Sequence, residues 1–94
     1  MRTVVWSNNS IESIQNIYNY ISFQSPQNAE MVVDTLFRIG DELSVFPKKN
    51  PIEPIFKSEK IRFLPKWNFK IVYKIEIDRI IILDVFSTRQ NLSL

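Results

Sequence analysis

The stretch from Phe69 to Phe86 constrains the fold more than any other part of the chain, because its pattern specifies two neighbouring strands. Apolar residues alternate with others, as in a strand with one buried face, at Phe69, Ile71, Tyr73, Ile75 and Ile77. Asp78-Arg79 follows as a short turn, and Ile80–Phe86 is apolar on both faces, which is typical of a central strand. Two long strands joined by so short a link must run antiparallel, so the second half of the chain predicts an antiparallel sheet.

Two helical patterns precede these strands. Serine and asparagine, residue types that cap helices, precede isoleucines at helical spacing, which predicts a first helix over Asn8–Ser22. Ser25 followed by proline is a helix start signal, and the apolar stripe behind it predicts a second helix over Pro26–Phe46, ended by Pro47. Gly40, the only glycine, lies inside this helix, where its missing side chain permits a close contact.

The remaining segments complete the predicted architecture. Thr3–Trp6 has the composition of a short strand, and Ile61–Leu64 is a further strand stopped by Pro65. Residues 47–60 are rich in proline and polar residues, which predicts a loop held to the core by Ile52, Ile55 and Phe56. The order β-α-α-β-β-β predicts an α+β fold, with two N-terminal helices packed on a small, twisted, mainly antiparallel sheet.

Length and composition limit the kinds of site the chain can carry. Ninety-four residues fit one domain, 1–94, and the absence of cysteine and histidine excludes disulfides, thiolate metal sites and histidine bases. We therefore expect no metal and no cofactor. The chain shows neither a membrane-spanning stretch nor signal-peptide features, so we expect a cytoplasmic protein without membrane contact.

Charge is distributed unevenly along the chain. Residues 1–46 carry two basic and five acidic side chains, whereas residues 47–94 carry ten basic and five acidic ones. This asymmetry is compatible with a negatively charged partner on the basic side, and equally with a solvated surface.

Six short motifs resemble, in order, those of the RelE/ParE superfamily of type II toxin–antitoxin toxins, and more closely its ParE, or plasmid stabilisation, branch. They are Val4-Val5-Trp6-Ser7, Ile17-Tyr18-Asn19-Tyr20-Ile21, Ser25-Pro26 with Ala29, Leu43-Ser44-Val45-Phe46-Pro47, Arg62-Phe63-Leu64-Pro65 with Asn68-Phe69-Lys70-Ile71-Val72-Tyr73, and Val85-Phe86-Ser87-Thr88-Arg89. The resemblance implies the fold predicted above and a growth-inhibiting toxin. It also implies a cognate antitoxin as partner in a hetero-oligomer, with any contact to DNA made through that antitoxin.

The resemblance implies two alternative activities. ParE-type members poison DNA gyrase, whereas RelE-type members cleave messenger RNA in the ribosome without a metal. By resemblance, Arg62, Lys70 and Arg89 are the cations with which a ribonuclease would contact phosphate. Lysine replaces arginine at position 70, no tyrosine or histidine follows Arg89, and Phe63 stands where those enzymes tend to carry lysine. These departures favour a ParE-like inhibitor that is not itself an enzyme; an inactive interaction module is a third hypothesis.

The functional hypotheses, including inhibition by contact with a target, all depend on one geometric requirement. Arg62, Lys70 and Arg89 must project from neighbouring strands into one exposed concavity. The structural alternative is that Arg62 forms an ion pair with Asp84 or with a carboxylate of the helices, while Lys70 belongs to a solvated strand face.

Exposed aromatic residues are the other candidates for binding. Lys66-Trp67-Asn68 predicts a turn, where a partly exposed Trp67 with Lys66 and Arg89 is the predicted target-binding site. The lysines around Trp67 can contact nucleic acid, but a solubilising loop is the favoured interpretation of them. They are Lys48, Lys49, Lys57, Lys60 and Lys66. Antitoxin binding is predicted at Tyr20, Phe23 and Phe37, with core packing between the helices as the alternative for Phe37 and Tyr18.

Overall fold

A computed structural model describes residues 2–88 of the chain. The elements, in chain order, are β1 (Thr3–Trp6), α1 (Asn8–Ser22), α2 (Pro26–Asp41), β2 (Ile61–Lys66), β3 (Phe69–Ile75) and β4 (Arg79–Ser87). Two 3-10 turns, Glu42–Ser44 and Pro47–Lys49, follow α2. The predicted α+β class and the order of the elements are confirmed.

The four strands form one mixed sheet in the order β1-β4-β3-β2. β1 pairs in parallel with β4, and the two hairpin pairings, β2 with β3 and β3 with β4, are antiparallel. β4 therefore lies between β1 and β3, the interior position predicted from its two apolar faces.

A bulge in β4 adapts its apolar pattern to the core. Leu83 has no partner in β3, because the pairing shifts by one residue between Val72 and Tyr73. Ile82 and Val85 are three positions apart, yet both are buried. A bulge reverses the alternation of side chains beyond it, so both residues can contribute to one core.

Both helices begin at the predicted residues, because serine side chains cap them. The Ser7 hydroxyl accepts a hydrogen bond from the Ser10 amide at 3.1 Å, and the Ser25 hydroxyl accepts one from the Asn28 amide at 3.2 Å. The helices cover one face of the sheet and enclose the core with it. Its buried members are Ile14, Ile17, Val32, Leu36, Leu43, Ile71, Tyr73, Ile75, Ile80, Ile82 and Val85.

Gly40 permits α2 to approach β1 closely, as predicted. A Cβ atom at this position would overlap the ring of Trp6. The Trp6 ring also packs against Phe37, with ring centroids 4.8 Å apart, and its indole Nε1 donates a hydrogen bond to Asp41 Oδ1 at 2.9 Å.

Several predicted boundaries and contacts differ from the structure. α2 ends at Asp41 rather than Phe46, because the chain tightens into the 3-10 turn there. β2 continues through Pro65. Because β2 is the edge strand of the sheet, it tolerates proline, whose missing N–H costs no hydrogen bond inside the sheet. β3 ends at Ile75, so Ile77 is 94% exposed instead of buried.

The prediction that apolar loop residues hold the loop to the core is wrong. Ile52, Ile55 and Phe56 are all exposed, whereas the polar residues Asn50 and Glu53 are buried. The reason is that this part of the loop runs along the sheet edge and attaches through hydrogen bonds, as described below. No helix within residues 2–88 is long and apolar enough to cross a membrane.

Candidate functional site

The β2–β3 hairpin ends in a two-residue turn, Trp67-Asn68, with a backbone conformation that is unusual for tryptophan. Lys66 and Phe69 pair directly, so Trp67 occupies the first turn position, where its φ is 52°. Glycine is favoured where φ is positive, since a side chain costs about 1–2 kcal/mol there. The Trp67 side chain is 52% exposed, as predicted.

Contacts on both sides hold this turn in place. The Lys66 ammonium lies 4.8 Å from the centroid of the Trp67 ring, within the range of a cation–π interaction. From the end of β4, Thr88 donates hydrogen bonds to the Asn68 carbonyl from its amide at 2.7 Å and from its hydroxyl at 2.9 Å. The aromatic ring is therefore presented on a turn that two strands fix.

Residues 47–53, which we call the strap, cover the edge of β2. The Glu53 amide donates to the Ile61 carbonyl at 2.9 Å, and the Phe63 amide donates to the Pro51 carbonyl at 3.1 Å. The strap thus satisfies backbone groups that an open edge strand would expose.

Arg62 attaches the strap to β2 through main-chain oxygens. Its Nε donates to the Glu59 carbonyl at 3.0 Å, and its Nη1 donates to the carbonyls of Lys48 at 3.1 Å and Asn50 at 2.9 Å. These contacts give Arg62 a structural role, although not through the carboxylate partner suggested by the sequence.

Asp84 stabilises the contact between β4 and α1. Its Oδ1 accepts hydrogen bonds from the Ser13 hydroxyl and from the Val85 amide. The alternative in which Arg62 forms an ion pair with Asp84 is therefore wrong, because Arg62 is directed to the strap.

Lys70 is bound by a buried carboxylate. Its Nζ lies 2.9 Å from each carboxylate oxygen of Glu53, whose residue is 2% exposed, and 4.3 Å from the centroid of the Phe63 ring. Lys70 thus does not belong to a solvated strand face. Its charge is neutralised by Glu53.

Arg62 and Lys70 lie on opposite faces of the β2–β3 hairpin. Arg62 is opposite Tyr73, whereas Lys70 is opposite Pro65, and the register between these pairs is regular. Residues three positions apart in a strand point to opposite faces. The expectation of one shared concavity is therefore wrong for these two cations, and Arg89 lies outside the described residues.

A buried polar contact joins the strap to the core. The Asn50 side-chain amide donates to the Tyr73 hydroxyl at 3.1 Å, and that hydroxyl donates to the Pro47 carbonyl. Burial raises the pKa of Tyr73 above its ordinary value of 10.0, against the opposing effects of the Asn50 hydrogen bond and the Arg62 charge. Tyr73 is therefore neutral at physiological pH.

The aromatic residues predicted to bind antitoxin occupy two different environments. Tyr20 and Phe23, at the end of α1, are 78% and 94% exposed. Phe37 is instead partly buried against Trp6 and the core. Tyr20 and Phe23 are therefore exposed aromatic residues. Phe37 instead packs against the core, as the alternative interpretation of this residue predicted.

Sequence reasoning missed the roles of Asn50 and Glu53, which it placed in an irregular loop. Prolines on both sides of Ile52-Glu53 were the available signal, since they favour an extended segment able to lie along a sheet edge. No group of three or more metal-binding side chains is found within residues 2–88.

Comparison with known proteins identifies the family. The family model described as "ParE toxin of type II toxin-antitoxin system, parDE" matches residues 4–92. The fold is similar to that of a chain in the solved structure entitled "Chromosomal ParDE TA system from P. aeruginosa", with a TM-score of 0.76 and 19% sequence identity, over 93% of this chain and 96% of that one. No curated protein matches the sequence significantly. The chain therefore belongs to the ParE toxin family of type II toxin–antitoxin systems.

Proposed function

We propose that this toxin acts in the cytoplasm by binding DNA gyrase through the tip of the β2–β3 hairpin. Trp67 is the principal contact, and Lys66 and Arg89 are the further residues proposed to contact gyrase. A cognate antitoxin neutralises the toxin by binding over Tyr20 and Phe23 in a hetero-oligomer, and it makes any contact with DNA. Gyrase is the target that resemblance to the ParE branch implies.

The conformation of Trp67 is the observation that carries this proposal. At φ 52°, glycine would be more favourable locally, and half of a large apolar side chain is exposed to water. Strained residues that their surroundings hold in place are concentrated at functional sites. Burial of the ring in a protein partner would explain why tryptophan occupies the turn, since aromatic anchors dominate many interfaces.

The placement of the cations supports target binding over RNA cleavage. A ribonuclease without a metal needs several cations converging on one phosphate. Lys70 is paired with Glu53, and Arg62 lies on the opposite face with its Nε and Nη1 donors bonded to carbonyls. These two side chains are therefore not placed to act together on one phosphate, which disfavours RNA cleavage, and the proposed gyrase contact rests on Trp67 instead.

A supercoiling assay with purified gyrase tests the proposal on Trp67→Gly. Glycine adopts the turn conformation freely, which offsets the lost packing, so we expect an unfolding free energy within about 1 kcal/mol of the unchanged chain. Removal of an aromatic anchor should raise the half-inhibitory concentration about 30-fold. Gel electrophoresis measures the inhibition, and urea denaturation measures the stability.

The matched control removes other exposed aromatic side chains, in the double variant Tyr20→Ser/Phe23→Ser. This variant should inhibit gyrase as the unchanged chain does, but lose affinity for the cognate antitoxin, measured by calorimetry. Trp67→Gly should give the reverse result. Equal gyrase inhibition by Trp67→Gly and the unchanged chain would contradict the proposed contact. Cleavage of messenger RNA in a translation extract, without gyrase inhibition, would support the RelE-like alternative.

A further inference from the structure

We propose that the open end of the β2–β3 hairpin, remote from Trp67, binds an acidic peptide segment of a partner protein, with apolar side chains beside its carboxylates. β2 has six residues, so this end lies roughly 20 Å from the hairpin tip. The proposed peptide site is separate from the proposed gyrase contact and does not depend on it.

A cleft of about 630 Å³ opens at this end of the sheet. Five cationic side chains line it, namely Arg2, Lys48, Lys60, Arg62 and Lys74. Two carboxylates, Glu59 and Glu76, and two isoleucines, Ile75 and Ile77, complete the lining. Cations from β2, β3, the strap and the chain start therefore converge on one concave surface, whose excess positive charge attracts anions.

The two carboxylates offset only part of the positive charge of the five cations, and one of them, Glu76, is paired with Lys74. Glu76 is 2.8 Å from Arg79 and 3.6 Å from Lys74, and the Arg79 hydrogen bond lowers the pKa of Glu76, so the carboxylate is ionised at neutral pH. Lys48 and Lys60 form no ion pair with any residue between positions 2 and 88. These two lysines are therefore available to an anionic partner.

Exposed apolar residues adjoin the cationic cleft. A shallower pocket of about 430 Å³ shares two of its cations and is lined by Arg2, Val45, Phe46, Pro47, Lys48 and Lys49. Phe46 is 68% exposed, and Ile77 in the cationic cleft is more exposed still. Large apolar side chains exposed beside a charged cleft are typical of a protein interface.

The composition of this surface favours a peptide over a nucleic acid. Glu59 and Glu76 repel any anion, so they disfavour a phosphate backbone, whose charge recurs at every nucleotide, more than a peptide whose carboxylates are spaced to reach Lys48 and Lys60. Val45 and Ile77 are aliphatic, so Phe46 is the one aromatic ring among the residues lining the two pockets on which a base could stack. A peptide can place its carboxylates beside Lys48 and Lys60 and its apolar side chains on Phe46.

Fluorescence anisotropy with the full chain tests this proposal, using a fluorescein-labelled synthetic peptide that contains glutamate and leucine. We expect binding that weakens as salt increases, and about tenfold weaker binding of matched peptides in which glutamine replaces glutamate or serine replaces leucine. An oligouridylate of the same net charge should bind more weakly than the glutamate–leucine peptide. Equal binding of the glutamine–leucine peptide, or tighter binding of the RNA, would overturn the proposal.

Charge reversal locates the site. Lys48→Glu/Lys60→Glu should weaken peptide binding about tenfold, whereas Arg38→Glu/Lys57→Glu, with the same change in net charge at exposed positions outside the cleft, should change it less than twofold. Circular dichroism verifies that both variants are folded. Equal losses in both variants would mean that net charge alone attracts the peptide and would refute the assigned site. Trp67→Gly should bind the peptide unchanged, which separates this result from the gyrase assay.

Discussion

One missing side chain determines how closely α2 approaches β1. Gly40→Ala would improve helix propensity by about 1 kcal/mol, but its Cβ would overlap the Trp6 ring and approach Ile82 Cδ1 to 3.1 Å. Overpacking of this kind costs about 1–3 kcal/mol, and the Trp6 ring is held by Asp41 and Phe37. We therefore expect a net loss of about 1–2 kcal/mol in the unfolding free energy, measured by urea denaturation.

The overlap involves Cζ2 and Cη2, atoms that tryptophan has and phenylalanine lacks. Gly40→Ala should therefore cost less in a Trp6→Phe background than in the unchanged chain, and a double-mutant cycle measures the difference. The same cost in both backgrounds would contradict the Trp6 overlap as the cause. At this residue scale, the sequence predicted a close contact at Gly40, but only the structure identifies its partner.

At the scale of elements, the strap is attached by polar side chains on both sides of the sheet edge. Asn50 contacts Tyr73 on the helix-facing side, and Glu53 contacts Lys70 on the other side. Residues three apart in an extended segment point in opposite directions, which explains how one short segment reaches both faces. The strap therefore closes the β2 edge mainly through polar contacts, with Pro47 as its one buried apolar residue.

The ion pair between Glu53 and Lys70 provides a test of this attachment. Lys70→Met leaves a carboxylate buried without its cation, which we expect to reduce the unfolding free energy by about 3 kcal/mol. The double variant Glu53→Gln/Lys70→Met removes both charges and should recover more than half of that loss. Urea denaturation of both variants measures the recovery. If the double variant is no more stable than Lys70→Met, the buried charge is not the source of the loss.

The helices, the hairpins and the fold class could be predicted from the sequence because their signals are local. The caps of Ser7 and Ser25 and the alternation in β3 each depend on a few neighbouring residues. The attachment of the strap depends on pairings between residues distant in the chain, such as Glu53 with Lys70. Their side chains meet only after the sheet has formed, so periodicity could not identify Glu53 as buried or Arg62 as bound to carbonyls.

At the scale of the whole molecule, the proposed binding surfaces are distributed over different parts of one small fold. Trp67 lies at the hairpin tip, the cationic cleft lies at the opposite end of the same hairpin, and Tyr20 and Phe23 lie at the end of α1. The intervening sheet is held together by its core and by the strap. Substitutions at one surface can therefore be tested without direct loss of contacts at the others.

The stability of the whole molecule should fall in alkali because of Tyr73. Burial raises its pKa in the folded state, so the unfolded chain loses the hydroxyl proton first as the pH exceeds about 10. The stability that the buried, neutral Tyr73 hydroxyl contributes is complete below a pH of about 10, and it is lost as the pH rises through the folded-state pKa of Tyr73. Tyr73→Phe should cost about 1–3 kcal/mol at neutral pH, because Asn50 and the Pro47 carbonyl lose a buried partner, and should show a shallower alkaline decline. Urea denaturation between neutral pH and alkali measures both slopes, and parallel slopes would contradict Tyr73 as the titrating group.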